Sequence, residues 1–345
     1  MEKKVGFGIV GCGVIASWHV GAIARAEGAQ LIAVCDERED KAKKLGEEQK
    51  VEWYTDYQKM LEREDLDVVS LCTPSSLHPG QAVAAARAGK HVLTEKPMAI
   101  SLKDADEMIE ACRRAGVKLG VIFQRRVQDI FLKVKKALEE GELGRVVLGD
   151  IYMKYYRSQQ YYDSGSWRGT WKFDGGGALM NQGIHLIDLL QWYLGPVETI
   201  YGYAETLARK IEVEDTAVAI LKFKSGALGV IEGTTSVYPE TIPHRLELHG
   251  DRGSIMIEGE GIKRWEIMGR EGKVVSRAEE AEGAGKAITD PTDIGMEGHI
   301  RQVQDMVEAI NEDREPIVSG EEGRKSLQII LAVYQSAKTG KPVRL

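Results

Sequence analysis

The chain opens on Val5-Gly6-Phe7-Gly8-Ile9-Val10, a short apolar run, and breaks at Gly11-Cys12-Gly13-Val14-Ile15-Ala16. A buried strand that ends in Gly-x-Gly-x-x-Ala and runs into a helix is a turn shaped for a dinucleotide pyrophosphate. Gly11 permits the tight turn, and Gly13 leaves no Cβ between backbone and phosphate. Ala16 keeps the next helix, about Val14 to Ala26, close to the strand. The free N–H groups of its first turn, at Val14 and Ile15, then face the anion. A second apolar run, Leu31–Cys35, ends at Asp36. A carboxylate there accepts both ribose hydroxyls of NAD and repels the 2′-phosphate of NADP. Arg38 can stack on adenine or answer a 2′-phosphate, so NAD is the expected cofactor and NADP the less favoured one.

That turn constrains the rest of the fold, because it needs a parallel sheet around it. Up to Val121 short apolar runs (Val5–Val10, Leu31–Cys35, Val68–Cys72, His91–Thr94, Lys118–Ile122) alternate with helical stretches such as Pro79–Ala88 and Leu102–Ala115. The alternation predicts an α/β fold that begins with a Rossmann-type, doubly wound parallel sheet. After a helix at about Val127–Glu139 the pattern changes, and strand follows strand: Val146–Tyr155, Glu198–Thr206, Thr216–Phe223, Ala227–Gly233, Arg245–His249 and Ser254–Ile257. Lys224-Ser225-Gly226 reads as a hairpin turn. Leu246 and Leu248 alternate with Arg245, Glu247 and His249, so a large, mainly antiparallel sheet with one face open is expected in a C-terminal α+β domain. The expected division is 1–122 for cofactor binding and 123–345 for substrate binding and self-association. The last helices, about Met296–Asn311 and Glu321–Thr339, can pack back on the first domain. Glu279–Gly295 reads as a mobile surface loop.

A chain of 345 residues is long enough for two cores. Its net charge of −7 is spread over mixed signs, which argues against a nucleic-acid partner. No apolar run is long enough for a membrane span, and Met1-Glu2-Lys3-Lys4 leads directly into a strand, so a cytoplasmic protein without a signal peptide is expected. Cys12, Cys35, Cys72 and Cys112 lie far apart in apolar surroundings and read as buried free thiols. No residue cluster has metal-ligand spacing, and no metal is expected. The open sheet face predicts a homodimer or homotetramer.

Two further stretches carry chemistry. Thr94-Glu95-Lys96-Pro97 sits at the carboxyl end of a parallel strand, where ligands of such sheets bind. A lysine there can bind a substrate hydroxyl or carry its proton, and the Lys96–Pro97 bond can be cis. Gly175-Gly176-Gly177 precedes a helix on which Asn181, His185 and Asp188, spaced four and three apart, share a face. Asp188 can orient His185, while His185 and Asn181 meet a substrate; Leu179, Ile187, Leu190 and Leu194 face a core. The glycines are read as permitting close approach. Tyr152, Tyr155, Tyr156, Tyr161 and Tyr162 are dense enough to cover sugar C–H faces, and Arg157 can meet a phosphate or carboxylate.

These residues give the chain a family resemblance. The Gly11–Ala16 turn, Cys72-Thr73-Pro74 with His78, Glu95-Lys96-Pro97, Gln124-Arg125-Arg126 and the Gly175–Asp188 stretch resemble the glucose–fructose oxidoreductase/inositol dehydrogenase/MocA family. The resemblance implies an NAD(P)-dependent oxidoreductase that moves hydride between nicotinamide and a secondary alcohol of a sugar, inositol or related polyol. It implies Lys96 as the catalytic lysine, with His185 its partner. Many members have Asp where this chain has Asn181. Asn cannot take a proton, which leaves Lys96 or His185 as acid/base and Asn181 as a binding residue beside Asp188, Tyr155, Arg157 and Gln124. Thr73, Pro74, His78, Glu95 and Gln124 are expected at the nicotinamide end, and the resemblance places Trp167 and Arg168 near the cofactor too. A nucleotide sugar is the alternative substrate, with Arg157, Arg245 and the Glu279–Gly295 loop as extra contacts. A non-catalytic NAD-binding regulator is the alternative of another class, although it would not need both Lys96 and His185.

Overall fold

Short strands of three to seven residues, most of them apolar, build the first sheet of the computed structural model, which describes residues 4–239, 242–269, 272–277 and 295–345. The chain divides into two compact units, Met1–Val127 with Gly295–Arg324, and Gln128–Ile294 with Lys325–Leu345.

The first unit holds six strands: β1 (Val5–Val10), β2 (Ala29–Cys35), β3 (Glu52–Tyr54), β4 (Val68–Leu71), β5 (His91–Thr94) and β6 (Leu119–Val121). Their order is β3-β2-β1-β4-β5-β6, and every neighbouring pair is parallel. The order reverses between β1 and β4, which places the crevice for a ligand outside the carboxyl ends of those two strands. Phe7, Ile9, Val34, Val68, Val69 and Val92 are fully buried, and each such side chain contributes about 1.5–3 kcal/mol to the core. β3, a three-residue edge strand, was not among the expected strands. Helix Leu102–Ala115 is bounded as the sequence suggests: Ser101 Oγ accepts from Asp104 N at its start, and Gly116 ends it at φ 68°. Helix Glu297–Asn311 belongs to this unit, where its Val303, Met306 and Val307 join the core around β1.

Among the described residues the second unit holds nine strands: β7 (Val146–Lys154), β8 (Val197–Glu205), β9 (Thr216–Phe223), β10 (Leu228–Thr234), β11 (Arg245–Gly250), β12 (Gly253–Glu258), β13 (Gly261–Met268), β14 (Val274–Ser276) and β15 (Val343–Arg344). They lie in the order β14-β13-β12-β11-β7-β10-β9-β8-β15. Only β7 and β10 run parallel; the other pairs are antiparallel. One face is buried, through Ile151, Ala219, Leu221, Ile231, Leu246, Leu248 and Ile255. Helix Ile184–Leu194, apolar almost all round, packs on it at β7. The opposite face leaves Ile220 61 %, Tyr203 55 % and Leu228 54 % exposed, as a sheet covered on one side requires. Gly226, at φ 90°, makes the β9–β10 hairpin turn. Among the described residues no helix is long and apolar enough to cross a membrane. Residues 279–294 of the expected loop lie outside the described residues.

Candidate active site

The turn after β1 is prepared for an anion. Helix Ala16–Arg25 begins at Ala16, two residues later than expected, and no side chain caps its first turn. The Ala16, Ser17 and Trp18 N–H groups turn back onto the Gly13, Val14 and Ile15 carbonyls, and the N–H groups of Gly13, Val14 and Ile15 just before them are the ones left to a ligand. Gly11 has φ 92°, and a Cβ there would press on the Cys72–Thr73 peptide at 2.8–2.9 Å. Gly13 is different: a Cβ would meet nothing within 4 Å. Packing does not demand that glycine, whereas a closely approaching pyrophosphate does. Val14, apolar yet 68 % exposed, rims the same turn. Asp36 at the end of β2 accepts from Cys12 N through Oδ2 and from Arg38 N through Oδ1, at 2.8 and 2.9 Å. Its carboxylate is thus fixed against the glycine turn with acceptor capacity left for a ribose. The Arg38 guanidinium pairs with Asp40 at 2.8 Å, which draws it toward that carboxylate.

The Lys96 loop is braced from inside the first unit. The Lys96–Pro97 bond is cis, and Lys96 itself is half-buried. Glu95 turns inward: its Oε1 lies 3.1 Å from His19 Nε2 and 3.4 Å from His299 Nε2, and its Oε2 accepts from Lys96 N at 3.1 Å. Burial pushes the carboxyl up, but the two imidazoles more than offset this and hold it well below the usual carboxylate range. The expectation that the Glu95 side chain lines the nicotinamide is corrected, because the buried carboxylate is committed to the two histidines. His78 is corrected as well. Its ring has no exposed surface, and its nitrogens face Pro97 O at 3.1 Å and Thr73 O at 2.8 Å. It ties the β4 and β5 loops together and offers nothing to a cofactor. Thr73 and Pro74 remain half-buried at the switch point, with Thr73 Oγ1 donating to Gln81. Gln124 is buried, and its Oε1 finds no partner among the described residues. Such an orphaned acceptor suits a site completed by a ligand. Arg126 is fully buried and pairs with Glu322 at 2.8 Å.

In the second unit the glycine run leads into one wide π-helical turn, Ala178–Gly183, before helix Ile184–Leu194 starts. Asn181 lies on the π turn, while His185 and Asp188 lie on the α-helix, so the expected single helical face is interrupted between them. The core prediction holds, with Leu179, Ile187, Leu190 and Leu194 all buried. Asp188 is 1 % exposed and presents no surface to a substrate, which corrects its expected binding role; His185 is half-buried.

The glycines are explained by a residue the sequence reading missed. Glu214 is buried and accepts from Gly177 N, Leu179 N and Tyr334 Oη at 2.8–2.9 Å. A Cβ on Gly176 would strike the Tyr334 hydroxyl, and one on Gly177 the Glu214 carbonyl. The close approach that these glycines permit is therefore that of the protein's own chain. Burial pushes the Glu214 carboxyl up to about 7, against the hydrogen bonds donated to it. Its link to Tyr334 spans 120 residues, and no local signal marks it.

Above that support runs a polar chain. Gly169 N donates to Asp174, Asn181 Nδ2 to Asp174, Gln182 Nε2 to Asn181, and Arg157 Nη2 to Gln182. A small pocket opens beside it, with Tyr161, Tyr162, Asp174, Gly177, Asn181 and Gln182 on its walls. Arg157 is 5 % exposed and lies over the rings of Tyr155 and Tyr161. Arg168 is sandwiched between Trp167 and Tyr161, 4.4 Å from each ring centre, and donates to Tyr161 Oη at 2.7 Å. It has no carboxylate partner among the described residues, so ring faces and a phenol answer its charge. Arg245, expected as a nucleotide contact, is paired on the sheet with Glu247 and Glu258 at 3.2 Å each. Tyr152 likewise lies on the sheet, under Lys154.

Known proteins match this arrangement along its whole length. Residues 5–123 match the family described as an oxidoreductase family with an NAD-binding Rossmann fold, and residues 135–345 match its C-terminal alpha/beta domain. The WlbA dehydrogenase of Bordetella pertussis, solved in complex with NADH and UDP-GlcNAcA, is 37 % identical over 99 % of both chains, with a TM-score of 0.88. The WlbA enzyme of Chromobacterium violaceum, with the same two ligands, is also 37 % identical, over 100 % of this chain and 97 % of that one, with a TM-score of 0.88. Myo-inositol 2-dehydrogenase of Thermotoga maritima is 29 % identical over 98 % of each chain. The chain belongs to the Gfo/Idh/MocA family of oxidoreductases, with an NAD-binding Rossmann domain followed by the family's alpha/beta domain.

Proposed function

We propose that this protein is an NAD-dependent dehydrogenase that oxidises a ring secondary alcohol of a nucleotide-linked hexuronate of the UDP-GlcNAcA kind. The observation that carries the substrate class is Arg168, a half-buried cation without a carboxylate partner among the described residues, set among aromatic rings. Such a cation recognises a carboxylate or a phosphate. The likeness to two dehydrogenases solved with UDP-GlcNAcA supports the same class. Free inositol is the second reading, favoured by the Thermotoga relative.

The residues fit NAD. The Gly11–Ile15 turn holds the pyrophosphate, Asp36 the ribose, and Gln124 offers its orphaned amide oxygen. The bound nicotinamide supplies the hydride acceptor. Lys96 or His185 receives the hydroxyl proton, Asn181 orients the sugar within the Asp174–Gln182 chain, and Trp167 with Tyr155 cover its apolar faces. The Arg38–Asp40 pair supports NAD over NADP, since it engages the Arg38 guanidinium with a carboxylate. The open sheet face, which carries Ile220, Leu228 and Tyr203, is read as a contact between copies in a dimer or tetramer. Light scattering that finds only monomer at micromolar concentration would refute that part.

The functional test is NADH formation from NAD and UDP-GlcNAcA, UDP-GlcNAc or myo-inositol. The expected order puts UDP-GlcNAcA first by kcat/KM, and Arg168→Ala should lower that value by about 10²-fold, as loss of a charge-assisted bond predicts. Turnover of myo-inositol alone would overturn the substrate class.

A further inference from the structure

His19, Ser70, Glu95 and His299 come from four separate elements of the first unit and meet in its interior. His19 lies on the helix that starts at the dinucleotide turn, Ser70 on β4, Glu95 at the end of β5, and His299 on helix Glu297–Asn311. None of the four is more than 7 % exposed. Both histidines aim Nε2 at the same carboxylate oxygen, at 3.1 and 3.4 Å, and their rings meet edge to face, 5.6 Å apart.

The shared carboxylate oxygen assigns the Nε2 protons. Each Nε2 must carry one to donate to Glu95. His19 Nδ1 then accepts from the Ser70 hydroxyl at 2.6 Å, and His299 Nδ1 has no partner among the described residues. Burial favours the neutral His19 ring, and the Glu95 carboxylate keeps its negative charge. Its second oxygen, Oε2, takes the N–H of Lys96. A buried carboxylate with donors on both oxygens has one pose, and the next peptide in the chain is tied to that pose.

We propose that His19 and His299 are positioning residues for Lys96: they fix the Glu95 carboxylate from beneath, and that carboxylate sets the backbone from which the lysine reaches the substrate. The cluster couples the dinucleotide helix, the lysine loop and helix Glu297–Asn311 in one contact. The proposal rests on the reading that Lys96 handles the substrate hydroxyl.

The test compares His299→Leu with His299→Gln, which keeps an N–H donor, using NAD and UDP-GlcNAcA, or myo-inositol if that proves to be the substrate turned over. His299→Leu should lower kcat by about 10²-fold, the cost of misplacing a catalytic group by about 1 Å. Its KM and its NADH affinity should stay within about two-fold of wild type, and His299→Gln should recover most of the rate. If His299→Leu does not accumulate folded, Ser70→Ala carries the test. It removes only the hydroxyl that fixes the His19 tautomer, and about ten-fold in kcat should go. Unchanged kcat in a folded variant, a loss confined to KM or NADH affinity, or one equivalent of zinc in the purified protein (a cation would replace the ring protons) would each overturn the proposal. Wild-type turnover in Lys96→Met would instead remove the reading beneath it, so the two failures are distinct.

Discussion

At Gly13 in the first unit a Cβ would meet no atom of the protein within 4 Å, whereas at Gly177 in the second it would run into the backbone carbonyl of Glu214. Both glycines lie in short glycine-rich stretches just before a helix. The first stretch is kept open and unsatisfied: uncapped N–H groups, an exposed valine and a carboxylate with spare acceptor capacity. The second is closed on itself, with its N–H groups taken by a buried glutamate that the Tyr334 hydroxyl also holds. Glycine before a helix therefore has two physical meanings. It marks a ligand site where the space beside it is empty, and a packing site where the chain fills that space.

The comparison can be broken at either end. The largest effect is expected at the Lys96 loop: Lys96→Met should lower kcat by about 10²–10⁴-fold, the usual share of general acid–base catalysis, with NADH affinity unchanged by fluorescence titration. On the closed side, Gly177→Ala should destabilise the fold by about 3 kcal/mol or more, because the added methyl meets backbone that cannot move aside. A urea midpoint equal to wild type would show that the second stretch is not closed.

The support beneath that stretch should also titrate. Glu214 has its carboxyl pushed from 4.5 up to about 7 by burial, so the folded chain holds this proton more tightly than the unfolded chain. Stability from this group is full below about 4.5 and is lost as pH rises to about 7, a fall of about 3 kcal/mol at about 1.4 kcal/mol per unit. Urea midpoints across that range, with Glu214→Gln as the flat control, check the sign. A smaller effect belongs to Asp36. Wild type should prefer NADH over NADPH by about ten-fold or more in affinity, and Asp36→Ala should erase most of that preference. Equal affinities in wild type would remove the role given to the carboxylate.

What was legible in the sequence is local. The strand–turn–helix at Val5–Arg25, Asp36 at a strand end, the bounds of helix Leu102–Ala115 and the one-sided alternation of β11 are all set by residues within a few positions of one another. What escaped depends on contacts across the fold. Glu95 reads as a cofactor neighbour because it precedes Lys96, yet its side chain answers His19 and His299, 76 and 204 residues away. Glu214 carries no motif, and its partners are 35 to 120 residues distant. The π turn kept Asn181 and His185 off one regular face because it adds a residue to the turn without changing the apolar pattern. β3 is too short to show a period.

The most direct measurement is a fluorescence titration of NADH against wild type and Gly13→Ala, with melting curves taken on the same samples. Nothing in the protein crowds a methyl group at residue 13, so Gly13→Ala should keep its stability within about 0.5 kcal/mol while its NADH affinity drops by about ten-fold or more. Unchanged NADH affinity, or a loss of stability like that expected at Gly177, would contradict the claim that the first glycine turn is held open for a dinucleotide.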